Sequence, residues 1–282
     1  MEDKSPLMAF ERALQVEICS IGTEIVMGRI QDTNSSWIAR RVAGLGAFIR
    51  RITQVQDDRE DILDVLGGCL ERRPDVLILT GGMGPTEDDL TVGSVAEVLG
   101  LGLVLDEATV ERFVRRRNLS DRSQLSAGAL KMATVPTGAA VGENPVGAAP
   151  CIHLHRNGTD VFVLPGPPKE MVGTFDMHVM PALAQRVCRR TCTVRVAVSM
   201  HESEVAPLMN AVMANQRGTY LKAYVALYAA AEGTLPVDIV ATGDSAEGAT
   251  EAARLALSAF GDMVENQART WHLIEEGEAE RY

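Results

Sequence analysis

The sequence predicts an α/β protein: a mainly parallel sheet with helices on its faces, followed by a small α+β unit. Three observations carry this expectation. Short apolar runs alternate with helical patterns through the first two-thirds of the chain. Residues 75–80 (DVLILT) form an almost unbroken apolar run between Pro74 and Gly81, which suits a central strand buried on both faces. Beyond residue 190 the order changes to strand, helix, two strands and helix. At roughly 150 residues per domain, a chain of 282 residues is expected to hold two, placed here at 14–187 and 191–270.

The elements follow in order. Residues 16–21 read as the first strand, stopped by Gly22. Asp32 or Thr33 caps a helix whose Ile38, Val42 and Leu45 keep the three-four spacing, ended by Gly46. A second strand over 47–55 precedes a helix over 58–73 with Ile62, Leu66, Cys69 and Leu70 inward. A helix over 91–99 ends at Gly100, 106–132 reads as largely helical, and the Gly-, Ala- and Pro-rich 137–150 reads as loop. Strands 151–155 and 161–164 are joined by the turn Asn157-Gly158. Pro168 then opens a helix carrying Met171, Phe175 and Val179. In the second unit the expected order is strand 193–199, helix 202–215, strands 220–228 and 237–242, and helix 246–260.

Composition narrows the function. The chain has 27 basic and 38 acidic side chains, a net charge of -11, which argues against sequence-independent nucleic-acid binding. No run approaches the ~20 apolar residues of a membrane helix. Residues 1–15 carry Glu2, Asp3, Lys4 and Glu11, so they do not read as a signal peptide. Five cysteines without C-x-x-C spacing fit idle thiols in a reducing cytoplasm better than a disulfide framework or a zinc site. The expected location is cytoplasmic, with neither nucleic acid nor membrane as partner.

The chemistry concentrates in residues 79–91, LTGGMGPTEDDLT. A buried strand delivers this segment to the sheet's carboxyl edge, where open α/β sheets bind ligands. Gly81, Gly82 and Gly84 let backbone approach a ligand, and the N–H groups of such a turn suit a phosphate. Asp88 and Asp89 can hold a divalent cation that bridges phosphate oxygens. Taken alone, the segment reads equally well as a Gly-rich turn with acidic helix-capping residues. Residues 164–171 (LPGPPKEM) repeat the strand, turn and helix start. Gly22-Thr23-Glu24 with 28–34 form a third such region, and 144–147 (NPVG) lie on a loop able to close over a ligand.

In order, GTEI with GRIQDTN, then TGGMGPTEDDLT, NPVGAAP and LPGPPKEM resemble the motifs of the MoaB/Mog-like molybdopterin-binding domain family. The wording is nearest its competence/damage-inducible protein A (CinA) branch. The resemblance spans about residues 14–185, and 192–265 more weakly resemble the small domain that follows in CinA-type proteins. It implies a three-layer α/β domain, usually homo-oligomeric, that binds a nucleotide or pterin phosphate. For the CinA branch it implies an enzyme: a metal-dependent pyrophosphatase acting on ADP-ribose or a similar dinucleotide, with magnesium or cobalt and with potassium as a further ion. The MoaB/Mog branch implies magnesium-dependent adenylylation of molybdopterin instead; a non-catalytic nucleotide or pterin binder is the third reading.

Carried over by the resemblance, Gly81, Gly82, Gly84 and Thr86 hold phosphate, Asp57 and Asp89 are catalytic, and Asp88 is a metal ligand beside Asp89. Asp32, Asn34, Asn144, Gly166, Pro168 and Glu170 shape the rest of the pocket. Two departures stand out: Ala148 where the family commonly has Thr, and Cys151 in place of Gly. The amidase activity of full-length CinA proteins is not expected. His153 and His155 share a strand face without a third ligand, and Arg115-Arg116-Arg117 reads as a solvated helix face.

Overall fold

The computed structural model describes residues 13–227 and 234–274, which fall into two compact units. The larger holds residues 14–43 and 47–186. It opens with β1 (Gln15–Ile21), followed by a short α1 (Thr23–Val26), α2 (Thr33–Leu45) and β2 (Phe48–Val55). Next come α3 (Arg59–Glu71), β3 (Val76–Thr80), α4 (Thr91–Val98) and β4 (Leu103–Leu105). Then follow α5 (Glu107–Arg116), α6 (Ala127–Met132), β5 (Thr134–Pro136) and β6 (Ala140–Gly142). The unit closes with β7 (Cys151–Arg156), β8 (Thr159–Leu164), α7 (Pro168–Thr174) and α8 (Met180–Arg186).

The six-stranded sheet has the order β2-β1-β3-β8-β7-β6. Its first four strands pair in parallel, and β7 and β6 add an antiparallel edge. β3 is buried along its whole length, as its apolar run requires. Each fully buried Val, Leu or Ile there contributes about 1.5–3 kcal/mol. On one face Cys19, Leu77 and Leu79 pack with Ile62 and Leu66 of α3 and Val95 of α4. The other face meets α2, whose Asn34 bonds Thr80 and whose Trp37 stands edge-on to Phe175 at 5.2 Å. Helices on both faces make three layers.

Caps set the helix starts. Asp58 accepts from the N–H of Glu60 and Asp61 at 2.9 and 3.2 Å, and Asp32 accepts from Ser35 at 2.9 Å. Asn157 and Gly158 both have positive φ (52° and 86°), the conformation that a tight turn between β7 and β8 needs. The long helical expectation over 106–132 is corrected: α5 stops at Arg116, Asn118 turns left-handed at φ 51°, and Asp121 and Ser126 cap new, shorter turns. The 137–150 loop contains the three-residue β6, which pairs with β7.

Glu17 on β1 is an unusual buried carboxylate, 1% exposed. Arg72 meets it with two guanidinium nitrogens, Nη2 at 2.7 Å and Nε at 2.9 Å. Burial pushes the Glu17 carboxyl up, but the Arg72 hydrogen bonds and charge outweigh burial and hold it below its ordinary 4.5. The pair's contribution is therefore complete above about pH 4.5 and is lost as pH falls through the depressed folded-state value. Arg72→Met is expected to destabilise the protein by about 3–5 kcal/mol at pH 7, because it leaves a buried charge unpaired. In urea unfolding of both proteins the difference should shrink steadily below pH 4.5; a difference that does not change with pH would contradict this account.

Among the described residues, the smaller unit holds Ala13, Gly44–Gly46, 187–227 and 234–274. It is built from β9 (Arg190–Val198), α9 (Glu202–Asn215), β10 (Thr219–Ala223), β11 (Leu235–Gly243), α10 (Ala246–Glu265) and β12 (Trp271–Leu273). The sheet is antiparallel with order β10-β11-β9-β12. Val196, Val237 and Ile239 pack under Val205, Val212 and Phe260 of the two helices. The strand expected over 220–228 ends at Ala223, and a helical turn follows at Val225–Leu227. Tyr228 and residues 1–12 lie outside the described residues. Among the described residues no helix is long and apolar enough to cross a membrane.

Candidate functional site

Because β1, β2, β3 and β8 are parallel, the segments following them emerge at one sheet edge; β6, antiparallel to β7, ends at that edge too. All the candidate site residues sit on these segments. Three interactions lock them together. Asn34 Nδ2 donates to Thr80 Oγ1 at 3.0 Å and to the Gly166 carbonyl at 2.8 Å, tying α2 to the ends of β3 and β8. Thr80 in turn donates to the Pro165 carbonyl at 2.9 Å. A Cβ on Gly166 would stand 3.4 Å from Gly81 Cα, so the two glycine turns are in contact.

The turn after β3 is tightly wound. Gly81 and Gly82 have φ of +102° and +64°, which only glycine adopts without strain. The Gly81 N–H is used by the Leu164 carbonyl at 3.1 Å, but those of Gly82, Met83 and Gly84 make no hydrogen bond to another described residue. The turn closes through Thr91, whose Oγ1 donates to the Gly81 carbonyl at 2.8 Å and whose N–H donates to Gly82. Asp89 folds over Gly84, and its Oδ2 accepts from the Thr86 N–H and hydroxyl at 2.8 and 2.6 Å. Lys131 of α6 donates to the Thr86 carbonyl. Thr86 is therefore committed to Asp89. Asp88 is exposed, and the nearby Thr86 hydroxyl and a backbone N–H hold its carboxyl below the ordinary range.

A metal fits here only in one form. Among the described residues no three His, Cys, Asp or Glu side chains gather closely enough to cage an ion. Magnesium commonly binds through one or two carboxylates completed by water and substrate phosphate. Asp88 and Asp89 beside free backbone N–H groups match that requirement, and a cation bridged by the substrate is the kind they suit.

The remaining candidates divide by what their polar atoms already do. Asp57 Oδ2 accepts from the Thr23 N–H and hydroxyl at 2.7 and 3.0 Å, joining the β1 and β2 ends, while Oδ1 has no hydrogen bond to another described residue. Asp32 is 9% exposed and spends both oxygens, on Ser35 and on Gln54 at 3.1 Å. Among the described residues, Asn34 keeps its buried Oδ1 without a partner. Asn144 is fully buried and saturated: Oδ1 accepts from Val146 and Gly147 N–H at 2.9 and 2.7 Å, and Nδ2 donates to Ala149 and Glu170 at 2.8 and 2.7 Å. Glu170 thus holds the NPVG loop from α7, against Gly147, where a Cβ would overlap its carboxylate. Pro168 is the first residue of α7.

A cavity of about 500 Å³ opens beside the glycine turn, bounded by Gly82, Gly84 and Asp89, with Lys131 near them. Its apolar wall includes Leu90, Leu103, Leu105, Leu130 and Met132. The volume is that of a small-molecule pocket. Asp32, Asn34, Asp57, Asn144 and Glu170 do not line it. His153 and His155 point to a different end of the sheet, where both reach Asp160 Oδ1 at 2.9 Å. Cys151 is buried at the start of β7, and burial pushes its thiol up to about 12.

The sequence missed Lys131, which lines the cavity, and Arg116 of α5, which bonds the NPVG loop. The partners of both in these contacts are backbone carbonyls, which leave no mark in a sequence.

The fold and these converging turns define the class: an α/β domain that carries its candidate ligand site at the carboxyl edge of a parallel sheet. The chain belongs to the family described as the probable molybdopterin binding domain, whose model matches residues 17–185. It is similar to Protein TK1472 of Thermococcus kodakarensis, 40% identical over 200 residues that cover 68% of this chain and 78% of that protein. Protein PAE0875 of Pyrobaculum aerophilum is 35% identical over 253 residues, covering 88% of this chain and 92% of the relative. Among solved structures it resembles the protein CinA, of unknown function, from Thermoplasma acidophilum. That match has 33% identity and a TM-score of 0.56, and covers 60% of this chain and 98% of that one.

Proposed function

We propose that this protein is a metal-dependent nucleotide pyrophosphatase of the CinA type, cleaving the diphosphate of ADP-ribose or a similar dinucleotide. One observation carries the reading: the uncommitted N–H groups of Gly82, Met83 and Gly84 stand beside Asp88 and Asp89 at the carboxyl edge. The N–H groups donate to phosphate oxygens and stabilise the charge that develops as water attacks phosphorus, a contribution of about 10²–10³ per donor in other enzymes. Asp88 and Asp89 hold the cation, magnesium or cobalt, with potassium as a further ion. When bound, the cation offsets diphosphate charge and lowers the pKa of a water. Asp57, with Oδ1 free, accepts the proton of the attacking water. The P–O bond of the diphosphate bridge breaks, and AMP leaves with the sugar phosphate as co-product.

The test is AMP release from ADP-ribose and FAD with magnesium, cobalt and potassium, before and after chelation. Turnover should appear with a divalent ion and vanish with chelator; release that survives complete chelation would refute the metal's part. The family description favours a second reading, a molybdopterin adenylyltransferase. It predicts ATP consumption only when a pterin dithiolene is present. Tight nucleotide binding without turnover under any metal would instead identify a binding protein. Sedimentation of the same sample measures the homo-oligomer that the resemblance implies.

A further inference from the structure

Among the described residues lining the cavity beside the glycine turn, Lys131 of α6 is the one Lys or Arg. We infer that Lys131 is a further phosphate-binding residue, whose ammonium holds a phosphate group of the substrate together with the N–H groups of Gly82, Met83 and Gly84. The inference deepens the proposed function and rests on it for the identity of the substrate. Lys131 shares the cavity wall with Gly82, Gly84 and Asp89, while most of the remaining wall is apolar. In such surroundings a cation and a run of unused N–H groups attract an anion more strongly than they would in open water.

The lysine is also held in place. A Cβ on Gly128 would stand 2.7 Å from Pro85 Cβ, so α6 is seated directly on the turn. Ala129 and Ala133 pack with Val110 and Phe113 of α5, and the Lys131 ammonium donates to the Thr86 carbonyl. An ammonium carries three N–H donors, so that bond fixes its position and leaves donors for a ligand. Its charge is unspent. Arg59, Arg72, Arg122 and Arg186 of the same unit each face a carboxylate, whereas among the described residues the half-buried Lys131 forms no ion pair. Asp88 feels it at longer range: the Thr86 hydroxyl and a backbone N–H are the main causes of its lowered carboxyl, and the Lys131 charge adds to them. A phosphate in the cavity supplies the missing counter-charge. When the bridging P–O bond breaks, its electron pair passes to the departing phosphate, and an adjacent ammonium offsets that charge.

The test uses the full chain, with inorganic pyrophosphate as probe and no divalent ion present. Calorimetric titration compares the wild type with Lys131→Gln, Lys131→Arg and Lys222→Met. Glutamine keeps an N–H donor for the Thr86 carbonyl but loses the charge, and Lys222, exposed on β10, controls for net charge. Kd should rise about ten-fold in Lys131→Gln, stay within about three-fold in Lys131→Arg and not move in Lys222→Met. In the wild type, pyrophosphate should protect Lys131, but not Lys222, from acetylation read by mass spectrometry. With ADP-ribose and magnesium, kcat/KM should fall about ten-fold in Lys131→Gln alone. Lys131→Gln that binds pyrophosphate like the wild type reduces Lys131 to a fastener of the turn and overturns the inference. So does a wild type that leaves Lys131 unprotected at saturating pyrophosphate, or that does not bind pyrophosphate. Binding that depends on Lys131, in a protein that cleaves neither ADP-ribose nor FAD, overturns the pyrophosphatase reading and leaves the phosphate site standing.

Discussion

Asp89→Asn is expected to lower metal-dependent AMP release by on the order of 10²–10³-fold while the melting temperature moves by only a few degrees. The amide is nearly isosteric and keeps an oxygen that can accept from the Thr86 N–H, now met by Asp89 Oδ2 at 2.8 Å. The turn should therefore persist. What disappears is the negative charge that a divalent ion needs beside the free N–H groups of Gly82 to Gly84. Raising the magnesium concentration should recover part of the rate if the carboxylate serves binding of the ion. A variant that turned over at the wild-type rate would remove Asp89 from the reaction altogether.

The second large effect concerns stability. Gly81→Ala is expected to destabilise the larger unit by roughly 3–5 kcal/mol, about 10 °C in melting temperature. Gly81 has φ +102°, and a Cβ there would overlap the carbonyl oxygen of Ile21. That obstacle is backbone at the end of β1, so it cannot swing aside as a side-chain tip does. The same replacement at Gly93, exposed in α4 with nothing within 4 Å of its added methyl, should stabilise by about 0.5–1 kcal/mol. Thermal unfolding of the two variants should therefore move in opposite directions. A Gly81→Ala protein that melts with the wild type would mean that the turn after β3 is looser than its contacts indicate.

Much of this was legible in the residues themselves. The apolar run of β3 and the caps at Asp32 and Asp58 fixed the strand and helix positions to within a residue or two. The three-residue strands β4, β5 and β6 were invisible, because so short a segment has no period to read. Between 106 and 132 the helical pattern was real, but the left-handed turn at Asn118 divided it. At the site, the glycines and acids marked the turn after β3. The division of labour did not show. Asn144 carries an amide able to meet a ligand, yet folding spends every polar atom of it on the loop. Arg116 looked like one of three surface charges, because two of its three partners are main-chain oxygens supplied by any sequence.

The run of uncommitted N–H groups from Gly82 to Gly84 has an implication for how such a protein diversifies. Under the proposed function its hold on an anion is written in main chain, so mutation of surrounding side chains can re-tailor the neighbouring cavity without erasing it. A lineage could trade one phosphorylated molecule for another by altering Leu103, Leu130 or Met132 alone. The glycines are where that freedom stops, since a side chain at Gly81 or Gly82 collides with backbone or with Thr91.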